Sequence, residues 1–128
     1  MIVFWSADSV FRNFLNFWGR SGRSEFWFWL LYANLFILLG GLTVVLSTGL
    51  AEVMTPLAIL YLSVTAVLLL PSLAVSVRRL HDIGRSGWWL LINLVPVVGP
   101  LFLLYFFVQP SDEEPNRYGP VPQPGSAT

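Results

Sequence analysis

Arg78-Arg79-Leu80-His81-Asp82-Ile83-Gly84-Arg85-Ser86-Gly87-Trp88-Trp89 is the stretch on which the reading of the whole chain turns. Its twelve positions hold three of the seven basic residues, the only histidine and two of the six tryptophans. Residues 53 to 77 before it and 88 to 108 after it carry no charge. An arginine or aspartate at the middle of a bilayer costs about 2.5 to 3.5 kcal/mol on insertion scales, so Arg78, Arg79, Asp82 and Arg85 together would cost on the order of 10 kcal/mol there. The block is therefore read as a short polar loop, residues 78 to 87, at a membrane surface.

Composition points the same way. Hydrophobic residues make up 55% of the chain and charged residues 11%, with a mean hydropathy of +0.69. A soluble domain carries about 25% charged residues, and a water-soluble fold this poor in charge could not cover its own surface. At 128 residues there is room for one domain. The formal net charge is zero and every basic residue is arginine, which gives no sign of nucleic acid or of a bulk acidic partner. The absence of cysteine excludes a disulfide, a thiolate nucleophile and a cysteine metal site. A single histidine argues against structural zinc, and no metal or cofactor is expected. Met1-Ile2-Val3-Phe4-Trp5 lacks a basic leader and a small-residue cleavage site, so it does not read as a signal peptide.

Upstream, residues 26 to 50 run without a charge from Phe26-Trp27-Phe28-Trp29 onward. Roughly 20 apolar residues suffice to span, and the leading aromatics suit an interfacial belt. A second span is expected over 53 to 77, with Pro56 near its start and a kink at Pro71. The third run, 88 to 108, contains Pro96-Val97-Val98-Gly99-Pro100. Two readings compete for it: one span broken at Pro96 to Pro100, or a re-entrant hairpin turning at Val97 to Gly99. Each arm of the hairpin has only about ten residues, short of a crossing. The broken span is favoured.

Before the first span, Phe11, Phe14, Leu15 and Trp18 fall at i, i+3, i+4, i+7, opposite Asp8, Ser9, Arg12, Asn13 and Asn16. That pattern predicts an amphipathic helix over 5 to 18 lying in the interface, the alternative being packing on the protein's own bundle. Gly19 and Gly22 end it, and Ser24 with Glu25 can open the next helix. After the third run, residues 111 to 128 are rich in proline and include Asp112, Glu113 and Glu114. They read as a flexible tail with a turn at Asn116 to Pro120. The fold expected is all-α: a single membrane domain over 1 to 110, with three transmembrane helices (26–50, 53–77, 88–108) behind an interfacial helix.

Arg12, Arg20 and Arg23 precede the first span, and Arg78, Arg79 and Arg85 fill the second loop. Three spans put all six on one side, which the positive-inside rule makes cytoplasmic. The N-terminus and the 78–87 loop are then inside and the tail outside. A hairpin at 96 to 100 brings the tail inside instead. Gly19-Arg20-Ser21-Gly22 and Gly84-Arg85-Ser86-Gly87 are the same four residues, each followed by tryptophans. Four positions are too few to claim duplication.

Arg20, Arg23, Glu25, Arg78, Arg79, His81, Asp82, Arg85, Trp88 and Trp89 are the candidate site. Its arginines suit anionic lipid headgroups. The same residues could instead pair with Glu25 and Asp82 to lock the loop onto the first span; on a continuous helix Arg78 and Arg79 lie four and three positions from Asp82. A His81–Asp82 pair without a nucleophile or metal is a weak catalytic signal. Asn34 and Asn93, polar within spans, should want partners across the bundle.

Taken together, Gly19-Arg20-x-x-Arg23-x-Glu25-Phe26-Trp27, the Arg78-to-Trp89 block, Pro96-x-x-Gly99 and Asn116-Arg117-Tyr118-Gly119-Pro120 resemble the bacterial inner-membrane family catalogued as domain of unknown function 805. The resemblance covers nearly the whole chain, and the Arg-Arg-Leu-His-Asp block is its specific part. It implies a small integral protein of the bacterial plasma membrane and no established activity. The chain departs from it mainly after Gly119. The function expected is therefore a non-enzymatic multi-pass membrane protein whose cluster binds lipid headgroups or a protein partner. An oligomeric small channel or transporter component, with copies of itself or another membrane protein as partners, is the alternative. A membrane enzyme using His81 and Asp82 is a further one.

Overall fold

A computed structural model of the protein describes residues 8–47 and 51–122, with only the backbone described at 51–54. Residues 5–7 of the expected interfacial helix, the last three of the first span and the tail beyond 122 lie outside the described residues. The described elements are a short helix, α1, over 8–12, then α2 (Arg23–Leu46), α3 (Ala51–Asp82), a 3-10 helix η1 (Gly87–Leu94) and α4 (Val98–Val108). No strand is present among the described residues beyond one isolated bridge between Asn116 and Gly119.

Among the described residues, two helices are long and apolar enough to cross a membrane. At 1.5 Å per residue α2 is about 36 Å long and α3 about 48 Å, against a hydrocarbon core of about 30 Å. α3 therefore overshoots by several turns, and those turns carry Arg78 to Asp82. The expected loop at 78–87 is helical as far as Asp82; only 83–86 are a loop. The helix opens at Arg23 behind Gly22, not behind Ser24, and Glu25 occupies its first turn. α2 and α3 are joined by Trp29, whose indole donates to the Ser72 hydroxyl at 3.0 Å, and by Tyr61, whose hydroxyl donates to the Ile37 carbonyl at 2.7 Å. Asn34 donates to the Leu30 carbonyl of its own helix at 2.7 Å and does not meet Asn93.

The third apolar run differs from the favoured expectation of one interrupted span. η1 and α4 are each about 16 Å long, half a crossing, and they fold back on one another. Gly87 at the start of η1 lies against Val77. At the other end of the run, the Phe107 carbonyl accepts from Arg79 Nη2 at 3.0 Å. Both ends thus meet the same end of α3, so the run is folded as a hairpin. At the tip, Val98 N–H donates to the Pro96 carbonyl at 2.7 Å across Val97 (φ 66°, ψ −56°), a γ-turn that is strained for a β-branched residue. Gly99 makes the fold-back possible, because a Cβ there would collide with the Ile92 carbonyl.

α1 ends at residue 12 and a turn follows at 13–15, so the i, i+7 face from Phe11 to Trp18 is not one continuous helical face. Asparagine is the cause, since its side chain competes with helical bonding. Asn13 Nδ2 donates to the Ser9 carbonyl at 2.9 Å, and Asn16 Oδ1 accepts from Trp18 N–H at 3.0 Å. Val10 is buried against Phe26, Trp29 and Val75. A second cluster, Leu80, Leu103 and Phe106, seats the hairpin on α3, and Phe107 touches both clusters.

Candidate functional site

The overshooting end of α3 is where the charges gather. Arg20, Glu25, Arg78, Arg79, His81 and Asp82 are all buried there, on the loop before α2, the first turn of α2 and the last turns of α3. Helical spacing turns Arg78 and Arg79 onto different neighbours. Arg78 Nη1 pairs with Glu25 Oε1 at 2.9 Å, and that oxygen also accepts from Ser9 Oγ at 3.2 Å. Arg79 pairs with Asp82 three residues on. Arg20, 62 positions away in sequence, donates from Nε to the other Asp82 oxygen at 3.0 Å. Ser21 N–H donates to the Arg78 carbonyl at 3.0 Å, fixing the loop before α2 to the end of α3.

Three guanidiniums against two carboxylates leave an excess of positive charge and of N–H donors, since arginine donates five times and never accepts. The last turn of α4 and the segment after it meet that excess with backbone carbonyls. Arg20 donates to the carbonyls of Asp112 at 2.8 Å and Glu114 at 2.9 Å; Arg79 donates to those of Phe107 and Gln109. Ser111 Oγ donates to Asp82. Asp112 N–H donates to the Asp82 carbonyl at 3.0 Å, and Asn116 Nδ2 to the His81 carbonyl at 2.9 Å. Residues 111–122 are therefore not the flexible tail expected; residues 107–119 form a strap across the arginines. The turn expected at Asn116 to Pro120 is present, with reciprocal Asn116–Gly119 backbone bonds of 3.0 and 3.1 Å.

A buried charge pair is tolerable when further hydrogen bonds satisfy its remaining atoms, and removing one partner then costs about 3 to 5 kcal/mol. Arg20, Arg79 and Asp82 meet that condition. Arg78 meets it less fully: its Nε and Nη2, and the Ser21 hydroxyl, are buried without a hydrogen-bond partner among the described residues. His81 and Asp82 face different partners. His81 Nδ1 lies 3.0 Å from the Gly19 carbonyl, and its ring stacks flat on Tyr118 with centroids 3.8 Å apart. Adjacent helical positions diverge by about 100°, so the two side chains do not form a relay. Among the described residues no three His, Asp or Glu side chains gather as a metal-binding set.

Arg23, Arg85, Trp88 and Trp89 stay outside this clasp. Arg23 and Arg85 are exposed, and Trp88 is 78% exposed. The Arg85 guanidinium lies over the rings of Trp89 and Phe106, at 5.6 and 5.3 Å. The candidate set thus separates into a buried clasp of six residues and an exposed rim of four. Sequence reasoning missed Ser9, Ser111, Asp112 and Tyr118 as parts of the clasp. Only the Asn-Arg-Tyr-Gly-Pro turn carried a signal for any of the strap.

The family described as "Protein of unknown function (DUF805)" matches residues 14–120. The chain is similar to two relatives from Escherichia coli K12 that are named inner membrane proteins. YhaI is 40% identical over 92% of this chain and 95% of its own; YhaH is 36% identical over 89% and 93%. A third, YiiR, named an uncharacterized protein, is 37% identical over 62% of this chain and half of its own. No solved structure matches the chain.

Proposed function

This chain belongs to the DUF805 family, and from that premise we propose a non-enzymatic protein of the bacterial inner membrane that engages anionic lipid headgroups through its arginine rim. α2 and α3 cross the bilayer, and the η1–α4 hairpin dips in and returns on the side it left. The positive-inside rule makes the clasp side cytoplasmic, and α1 and the strap lie there with it. The clasp itself is a lock: its charges are spent on each other and on the strap. Headgroup contact passes instead to Arg23 and Arg85, with Trp88 and Trp89 at the interface.

One observation carries this reading. The arginines divide by partner: Arg20, Arg78 and Arg79 are buried in ion pairs, Arg12 is exposed but paired with Asp8, and Arg23, Arg85 and Arg117 are exposed and have no carboxylate within ion-pair distance among the described residues. The test is native mass spectrometry from nanodiscs holding equal phosphatidylglycerol and phosphatidylcholine. The wild type should retain phosphatidylglycerol in excess. Arg23→Ala and Arg85→Ala should each cut that excess about fivefold, the equivalent of about 1 kcal/mol per basic residue. An unchanged excess in both variants would remove the reading.

Self-association is a second reading, favoured by Asn93. Its carboxamide is exposed on the hairpin without a hydrogen-bond partner among the described residues, and it lines a groove with Ser76 and Leu104. An amide in hydrocarbon seeks a partner, and a second copy offers the same group. Asn93→Leu should then shift the stoichiometry seen in the same spectra.

A further inference from the structure

Beside the clasp, where its polar surface meets the apolar flank of α3, a groove of about 630 Å³ lies open, within the range of small-molecule sites. Its two sides differ in chemistry. One is apolar: Phe17, Val77, Gly87 and Trp88. The other is a stack of rings ending in a cation. His81 is held by the Gly19 carbonyl at 3.0 Å. Tyr118 lies flat on His81 with an interplanar angle of 1°. Trp18 meets both rings edge-on at 6.2 and 6.3 Å. The Arg117 guanidinium sits over the Tyr118 ring at 4.7 Å.

Two polar groups in this groove have capacity left. Arg117 makes no ion pair among the described residues, and its position over an aromatic ring orients the guanidinium without consuming its N–H donors. Ser86 Oγ accepts from Trp88 N–H at 3.4 Å, which leaves its own proton to donate. An arginine fork and a hydroxyl lining one groove suit a phosphate monoanion. Val77 and Trp88, on the opposite side, continue into the surfaces of α3 and the hairpin that would face hydrocarbon. Charge and apolar surface thus meet in one groove at the level of the headgroups.

We propose that this groove holds one anionic phospholipid, its phosphate against Arg117 and Ser86 and its glycerol and first acyl carbons along Val77 and Trp88. The site rests on reading the clasp end as lying at headgroup level. It differs from the rim in being a discrete pocket with one occupant, not a diffuse field. His81, the most buried ring of the stack, acts here as a positioning residue, because it sets Tyr118 and through it Arg117.

The test uses the full chain in nanodiscs doped with a phosphatidylglycerol analogue carrying a diazirine near the glycerol. Crosslinked peptides are mapped by mass spectrometry. Adducts should concentrate at residues 17–18 and 86–88. Arg117→Ala should lower their yield about tenfold, as expected for one charge-assisted contact, and Arg117→Lys should restore only part of it, because the charge returns without the fork. A phosphatidylcholine analogue should give low yield throughout. Equal yields in wild type and Arg117→Ala, or equal yields from the two lipids, would overturn the proposal. Loss of the adducts on adding millimolar inorganic phosphate would overturn it too, in favour of a soluble phosphate ligand. Because Arg23 and Arg85 do not line the groove, their alanine variants should leave its adducts unchanged. The rim and the groove can therefore fail separately.

Discussion

Gly19-Arg20-Ser21-Gly22 and Gly84-Arg85-Ser86-Gly87 are one tetrapeptide used twice, and the protein treats the copies differently. Both begin on a glycine in the left-handed region, at φ 90° and 71°, and both lead directly into a helix, α2 and η1. There the likeness ends. Arg20 is buried, with Asp82 and three strap carbonyls as partners. Arg85 is exposed over two aromatic rings. The backbone course follows from the four residues themselves, since glycine permits the turn. The fate of the arginine follows from what stands opposite: a carboxylate at the end of α3 in one case, the hairpin's rings in the other.

The largest effect should come from breaking the buried copy. Arg20→Ala leaves Asp82 with one of its two guanidiniums and strands two strap carbonyls, and is expected to destabilise the fold by about 3 to 5 kcal/mol. Unfolding in mixed micelles, followed by tryptophan fluorescence, measures it. A change below 1 kcal/mol would mean the clasp is not a lock. A charge-conserving pair comes next. Arg20→Lys forfeits fork contacts and should cost about 1 to 2 kcal/mol. Arg78→Lys should cost less, because only Nη1 of Arg78 is engaged and its two unpartnered nitrogens, Nε and Nη2, are removed by the substitution.

A third comparison sharpens the shared turn. Gly19→Ala and Gly84→Ala both force a side chain into left-handed backbone, at about 1 kcal/mol. At Gly19 the added Cβ meets nothing, whereas at Gly84 it would lie 3.1 Å from an Asp112 carboxylate oxygen. Gly84→Ala should therefore be the more destabilising, and it should loosen the strap, read as faster amide exchange at residues 112–116. The smallest effect belongs to the exposed copy. Arg85→Ala removes cation–π contacts worth about 0.5 to 1 kcal/mol at an exposed site, so it should barely move the unfolding midpoint while altering lipid retention.

Much of this was legible in the residues. Charge-free runs marked α2 and α3, and the grouping of arginines at one end has its counterpart in Arg20 meeting Asp82 across 62 positions. Two features were not legible, for definite reasons. The strap is held mainly through main-chain carbonyls of Phe107, Gln109, Asp112 and Glu114, and carbonyls leave no trace in residue identity. The choice between span and hairpin was open because Pro96-Val97-Val98-Gly99-Pro100 suits either. The fold-back itself shows in contacts that residue identity does not spell out: Gly99 against Ile92, seven positions back, and Arg79 reaching the end of α4. The rim and clasp could not be told apart because arginine looks the same whether it faces a carboxylate or water.

The strap also imposes an order on biosynthesis. Residues 107–119 leave the ribosome after every other part of the clasp, so Arg20, Arg79 and Asp82 first come together with hydrogen-bonding capacity unfilled. Until the strap arrives, water must satisfy those groups. Closure of the clasp is then the last step of assembly, and a chain truncated after residue 106 should leave Arg20 and Arg79 accessible to arginine-directed reagents from which burial shields them in the full chain.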